Sequence, residues 1–229
     1  MKYDPNAPLP DLNEYTLITN KGGKKHWRKR LGRGGKGATL NTACREQSNL
    51  MGAASPATAR LRRALNPYEG RMDFGRFGAR VSARIRKSLT DGTWPDYGIL
   101  RDYHFQKEHP FDPILRAGRT VKKEEGQVIV RIQIPEGGAV VGKSNNLTRY
   151  RFSLLLVAGD PVEAEVPLTT GLVESADYAY GKAAEDCLLT IAVPVDGRPW
   201  MVCLRLESYE GKELACANKY CGMKVVAWG

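Results

Sequence analysis

The sequence predicts an α+β fold: a basic arm, hairpin and helical region over residues 1–95, followed by an antiparallel β-sandwich over residues 96–229. Three observations carry this. Up to about residue 95 the apolar residues recur with the helical period of 3.6, and from about 96 onward they alternate with the strand period of 2. The later strand-like runs are separated by Gly-Asp, Asp-Gly and Glu-Gly turns with no helix-length pattern between them, so antiparallel pairing is expected. Charge follows a similar division. Residues 21–90 hold 18 Lys/Arg against 3 Asp/Glu, a local +15, so within a net charge of +10 the remainder carries −5.

The elements follow in order. Residues 1–14 (MKYDPNAPLPDLNE) contain three prolines and read as an extended arm. Tyr15–Thr19 is a short strand, Asn-Lys-Gly-Gly-Lys a turn, and Lys-His-Trp-Arg-Lys-Arg-Leu the returning arm of a hairpin. The basic run GRGGKG comes next. One helix is expected over 41–54, with Cys44, Gln47, Met51 and Ala54 along one side. A second is expected from Ser55 as N-cap and Pro56 at the first helical position, carrying Leu61, Ala64 and Leu65 to a stop at Asn66-Pro67. A third runs from Asp73 to about Thr90, with Gly92 as its C-terminal glycine. Phe74, Phe77, Val81 and Ile85 share its apolar face, and Arg76, Arg80, Arg84 and Lys87 share a neighbouring one, within about 80° of each other.

In the second half, Val128, Val130, Ile132 and Ile134 alternate along one strand, and Tyr150, Phe152, Leu154 and Leu156 along another. Further strands are expected over 162–167, 188–195, 199–208 and 213–227.

Residues 137–144, Gly-Gly-Ala-Val-Val-Gly-Lys-Ser, match the phosphate-loop pattern G-x-x-x-x-G-K-[ST]. A working loop leaves a strand and enters a helix whose N-terminal amides hold the phosphates. Here Ser144–Thr148 are poor helix formers and alternation resumes at Arg149, so a glycine-rich connection between strands is the expectation. There is no Gly-x-Ser-x-Gly elbow, no His-Glu-x-x-His and no isolated carboxylate pair, so no catalytic residue, and no enzyme, is expected. Five cysteines cannot pair completely. Cys187 and Cys203 sit in apolar runs as core residues, and Cys216 and Cys221 lack the further ligands of a zinc site. No metal or cofactor is expected; a redox role for Cys216 and Cys221 stays open. Asn146-Leu147-Thr148 matches a glycosylation acceptor and is read as a turn.

Two stretches resemble a protein family common in Bacteroidetes genomes: NTACREQSNLMGAASPATARLRRALNP with FGRFGARVSARIRKSL, and the closing CLRLESYEGKELACANKYCGMKVVAWG. Members of that family order a short basic hairpin, a helix with an Arg-Glu-Asn-like segment and a small-residue run, an Arg-rich helix and a final β-hairpin. The resemblance extends from about residue 15 and implies the helical-then-β order. It implies no reaction and no catalytic residues, and it argues against metal at Cys216 and Cys221, whose positions are not a cysteine pair in those relatives.

The expected function is that of a non-enzymatic assembly subunit of a virion, filament or other homo-oligomer, its basic half meeting the mildly acidic β half of a neighbour. The alternative is sequence-nonspecific nucleic-acid binding. Lys24, Lys25, Trp27, Arg28, Lys29, Arg30 and Arg33 are the foremost contact candidates, with Trp27 as a stacking ring, and Arg76, Arg80, Arg84 and Lys87 come next. No apolar run approaches the roughly 20 residues of a membrane span. The cluster at 24–33 lacks a broad apolar face beyond Trp27 and Leu31, which argues against membrane-surface binding. Met-Lys-Tyr-Asp-Pro-Asn has no secretory apolar core, so a cytoplasmic protein or a virion component is expected.

Overall fold

Two strands in the second half, Arg149–Ala158 and Trp200–Glu210, contain stretches, 154–158 and 200–204, that are apolar at every position rather than at every second one. A strand of that kind must bury both faces, and the architecture is built around this requirement. The computed structural model of the protein describes residues 10, 15–29, 42–70, 72, 74–141, 146–215 and 218–229. In chain order the strands are β1 (Tyr15–Thr19), β2 (Lys25–Lys29), β3 (Gly118–Glu124), β4 (Gln127–Gln133), β5 (Arg149–Ala158), β6 (Thr169–Glu174), β7 (Tyr178–Ala179), β8 (Cys187–Ala192), β9 (Trp200–Glu210), β10 (Glu213–Leu214) and β11 (Gly222–Trp228). The helices are α1 (Thr42–Leu65), α2 (Phe77–Asp91) and the single turn α3 (Phe111–Ile114). The α+β class is as expected, and every pairing among the described strands is antiparallel.

The chain forms two compact units, residues 1–48 and 49–229. The first contains the β1–β2 hairpin, in register from Tyr15↔Lys29 to Thr19↔Lys25. The second is layered. β5 and β9 pair from Arg149↔Tyr209 to Ala158↔Trp200 at the centre of a six-stranded sheet, with β6 and β7 along β5 and β10 and β11 along β9. One face of this sheet, carrying Phe152, Leu154, Leu204 and Leu206, packs on Val128, Val130 and Ile132 of β4 and Leu189 and Ile191 of β8, which belong to a three-stranded sheet ordered β3-β4-β8. The opposite face, carrying Leu155, Val157, Met201, Cys203, Met223 and Val225, is covered by α1, α2 and the segment between Tyr97 and Phe105. Full burial of one such leucine or valine stabilises the fold by about 1.5–3 kcal/mol. The compact unit that begins at Asn49 includes helices and central sheet together, which share one buried layer.

Several expected boundaries are corrected. The break at Ser55-Pro56 is absent, and α1 runs through it. Ala54, Ala57, Thr58, Leu61 and Leu65 form an unbroken buried stripe across the proline, while Pro56 itself is exposed. The third helix starts at Phe77, not Asp73, after Arg76 in the left-handed conformation at φ 53°; Asp73 lies outside the described residues. Its end is as expected: Gly92 adopts φ 65° and its N–H donates to the carbonyls of Leu89 and Ser88. The expected strand over 162–167 is a loop, because the Arg60 guanidinium gathers the carbonyls of Pro161, Glu163 and Val166 and the Asp160 carboxylate accepts from Val162 N–H at 2.7 Å. The strand lies later, as β6. The expected strand over 213–227 is split into β10 and β11 by a 3-10 turn at Asn218–Tyr220.

Candidate functional site: the cationic helix face and the ion cluster of the last strand

In the first unit, the β1–β2 turn and β2 place Lys24, Lys25 and Arg28 in the open, with Lys25 and Arg28 on opposite faces of the strand. Trp27 lies opposite Leu17 and is only 8% exposed, so its ring is not laid open as a stacking platform. The backbone of Lys29 pairs with Tyr15. Arg30 and Arg33 lie outside the described residues.

In the second unit, Arg80, Arg84 and Lys87 recur along α2 at steps of four and three, so they share a side of the helix, whereas Arg76 precedes it as the N-cap in the left-handed conformation and does not follow that spacing. Phe77, Val81, Ile85 and Ser88 are buried and fix which side that is. Arg76, Arg84 and Lys87 are exposed and Arg80 is half-buried. Two of the four also hold structure. Arg80 donates through Nη1 to the His104 carbonyl at 3.1 Å and through Nη2 to the Phe105 carbonyl at 2.6 Å, with its guanidinium 4.8 Å from the Tyr103 ring centre. Arg84 donates to the Ile99 carbonyl at 2.7 Å. Carbonyl oxygens carry no formal charge, so these bonds fasten the 97–105 segment without neutralising the helix face.

That segment leads to a cluster the sequence reading did not anticipate. Lys224, in the middle of β11, is 5% exposed. Its Nζ lies 2.7 Å from Asp112 Oδ2 and 3.0 Å from Asp102 Oδ1, while Arg119 of β3 reaches Asp112 Oδ1 at 2.7 Å. His104 Nδ1 accepts from Phe111 N–H at 3.0 Å, which leaves the imidazole proton on Nε2, 3.5 Å from Asp112 Oδ2. Burial lowers the His104 pKa, against the opposing pull of Asp112, and keeps it neutral. Burial of Asp112 pushes the other way, but hydrogen bonds from Lys224 and Arg119 outweigh it and hold the carboxyl below its ordinary range. Hydrogen bonding to Lys224 lowers Asp102 likewise. With His104 neutral, Lys224 and Arg119 face the carboxylates of Asp112 and Asp102, the exposed Arg101 lies 3.6 Å from Asp102 as a third cation, and the cluster ties β3, α3 and the 102–104 segment to β11. A second buried pair, Arg205–Glu207, joins at 2.5 Å on the helix-covered face of β9. The sequence signal for both was a charged residue within an apolar strand: the lysine of GMKVVAW, and the arginine and glutamate of VCLRLES.

The phosphate-loop match lies between β4 and β5. Residues 142–145, including its lysine and serine, are outside the described residues; Gly137–Val141 and Asn146–Thr148 carry no helix, and β5 begins at Arg149. Cys187, Cys203 and Cys221 are buried free thiols, the last with its pKa raised by burial; Cys216 is outside the described residues. Among the described residues no His, Cys, Asp and Glu are grouped to hold a metal ion, and no helix is long and apolar enough to cross a membrane. No family model, curated protein or solved structure matches the chain.

Proposed function

We propose that the protein is a non-enzymatic structural subunit that assembles with copies of itself, the cationic face of α2 on one copy meeting acidic surface of the β layers on the next. The observation that carries this reading is the uncompensated charge of α2. Arg76, Arg84 and Lys87 are exposed, and the bonds of Arg80 and Arg84 go to neutral carbonyls. The β layers offer the complement: Glu125, Glu136, Glu163, Glu165, Glu185 and Glu213 are exposed and form no ion pair among the described residues. Opposite charge on different parts of one molecule favours heterologous contact, which builds rings or filaments. A virion part or a filament is the setting that suits such a chain. Light scattering and negative-stain microscopy across protein and salt concentration test the reading. Particles larger than one chain that dissociate as salt rises support it, and a strict monomer at high concentration and low salt overturns it.

A second reading, sequence-nonspecific nucleic-acid binding, is favoured by one observation: the hairpin of the first unit exposes Lys24, Lys25 and Arg28 on both of its faces. Phosphate contacts of this kind give an affinity that falls steeply with salt. An affinity that a tenfold change in salt leaves unmoved would exclude them.

A further inference from the structure

β8 closes one side of the small sheet. Its neighbour is β4, in a register running from Gln127↔Ala192 to Ile132↔Cys187, and no described strand pairs with its other side. One bond sets the parity of that side: Val193 N–H donates to the Gly126 carbonyl at 2.9 Å. In an antiparallel ladder only alternate residues exchange bonds with a given neighbour. Cys187, Leu189, Ile191 and Val193 therefore bond towards β4, and the main-chain N–H and C=O groups of Leu188, Thr190 and Ala192 point away from it. The side chains of these three residues are exposed, Leu188 at 65%.

Proteins ordinarily blunt such an edge with charge, proline, a bulge or a covering segment. The outer side of β11 is covered, with Phe105 N–H donating to the Met223 carbonyl and Val225 N–H to the Tyr103 carbonyl, both at 3.1 Å. β3 carries Arg119, Lys122 and Lys123. β8, with the sequence CLLTIA, has no charge, no proline, no glycine and no shift of register.

We infer that β8 pairs antiparallel with β8 of a second copy about a two-fold axis at Thr190, joining two three-stranded sheets into one of six strands. The strand's own sequence argues for this occupant. Antiparallel pairing of a strand with itself is closed by symmetry. The register that uses all three outward residues of both copies sets Leu188 opposite Ala192, Thr190 opposite Thr190, and Ala192 opposite Leu188. Large side chains then fall opposite small ones, the two hydroxyls meet on the axis, and no charge meets a like charge. Pro194, the next outward position, has no N–H to donate and ends the ladder. The inference rests on the assembly reading and supplies one of its contacts. A β8 pair closes after two chains, so anything larger needs the charged contact as well.

The test uses the full chain. Thr190→Lys sets two ammonium groups against each other on the axis, and Thr190→Pro deletes an outward N–H while leaving the β4 ladder whole. Each is expected to weaken self-association by at least about tenfold, with unchanged circular dichroism. Thr190→Cys gives a readout that does not depend on those variants folding. Cα atoms of a hydrogen-bonded pair lie about 5.5 Å apart, within the span of a disulfide. Mild oxidation is therefore expected to give a covalent dimer of Thr190→Cys, and none of Leu188→Cys or the wild type. An oligomer unchanged by Thr190→Lys, together with no cross-linking of Thr190→Cys, overturns the β8 contact and leaves the assembly reading standing. A strict monomer overturns both.

Discussion

The buried ammonium of Lys224 and the carboxylate of Asp112, 2.7 Å apart, form the joint by which α3 is held to the last strand. Removing one partner of a buried ion pair leaves the other charge stranded, which is worse than removing the charge that needed a partner. The Asp112 side chain is 42% exposed, so solvent softens the penalty. Asp112→Asn is expected to lower stability by about 1–3 kcal/mol in urea unfolding. Lys224→Met, which keeps the apolar stem, is expected to cost less. If Lys224→Met proves the more damaging of the two, the ammonium contributes more than its desolvation takes away and this account of the cluster fails.

His104 gives the same joint a dependence on pH. Burial lowers its pKa from an ordinary value of about 6.5. Between the folded and unfolded values the unfolded chain binds a proton that the folded chain refuses, so stability rises with pH in that window. Acidification is therefore expected to erode stability first just below pH ~6.5, levelling off once the folded-state pKa is passed. A second loss follows below about pH 4, as Asp102 and Asp112, whose pKa values are lowered, take up protons. His104→Asn retains an acceptor for Phe111 N–H and cannot titrate. Chemical denaturation between pH 5 and 7 should show the first loss in the wild type and not in this variant.

The layers were legible in the sequence wherever one period held. The alternation of Val128, Val130 and Ile132 marked a strand with one buried face, and Phe77, Val81 and Ile85 marked a helix with one buried stripe. The covering of the second sheet face was less legible. Leu155 and Val157 of β5, and Met201 and Cys203 of β9, fill in the alternation because helices lie on them, and a continuous apolar run does not say what covers it. Lys224 shows the converse limit. Its partners Asp112 and Asp102 are 112 and 122 residues away in sequence, so only the anomaly of a lysine between Met223 and Val225 was visible. The cations of α2 were readable as a stripe, but the division of labour within it was not. Whether an arginine faces water or a carbonyl depends on where the 97–105 segment passes.

At Pro56 a local rule and the tertiary structure disagree outright. A proline inside a helix removes a hydrogen bond to the residue four positions earlier, here the carbonyl of Gly52, and crowds it. The helix continues because the buried stripe from Ala54 to Leu65 does not include residue 56. Pro56→Ala should therefore restore the bond without disturbing packing and raise stability by about 1–3 kcal/mol. Urea denaturation followed by circular dichroism measures this, and a loss of stability would mean that the proline shapes α1 rather than being tolerated by it.

Within the cationic face, the residue that fastens the fold differs from those left exposed for the proposed contact, so the two roles can be separated. Arg80 fixes two carbonyls of the segment that covers β11, and its guanidinium stacks near Tyr103. Arg80→Met is expected to cost about 1.5–3 kcal/mol, the usual worth of hydrogen bonds to a charged group. Arg76 and Lys87 are exposed, and Arg76 adopts a backbone conformation that glycine takes freely. Arg76→Gly and Lys87→Ser should change stability by no more than about 0.5 kcal/mol. Together they should shift the salt concentration at which the proposed assembly dissociates to a lower value, because they remove two of the charges the proposed contact would use. Thermal melts and light scattering on the same samples separate the outcomes. A double variant that melts like the wild type and assembles like it would show that α2 makes no contact with a neighbour, whatever holds the copies together.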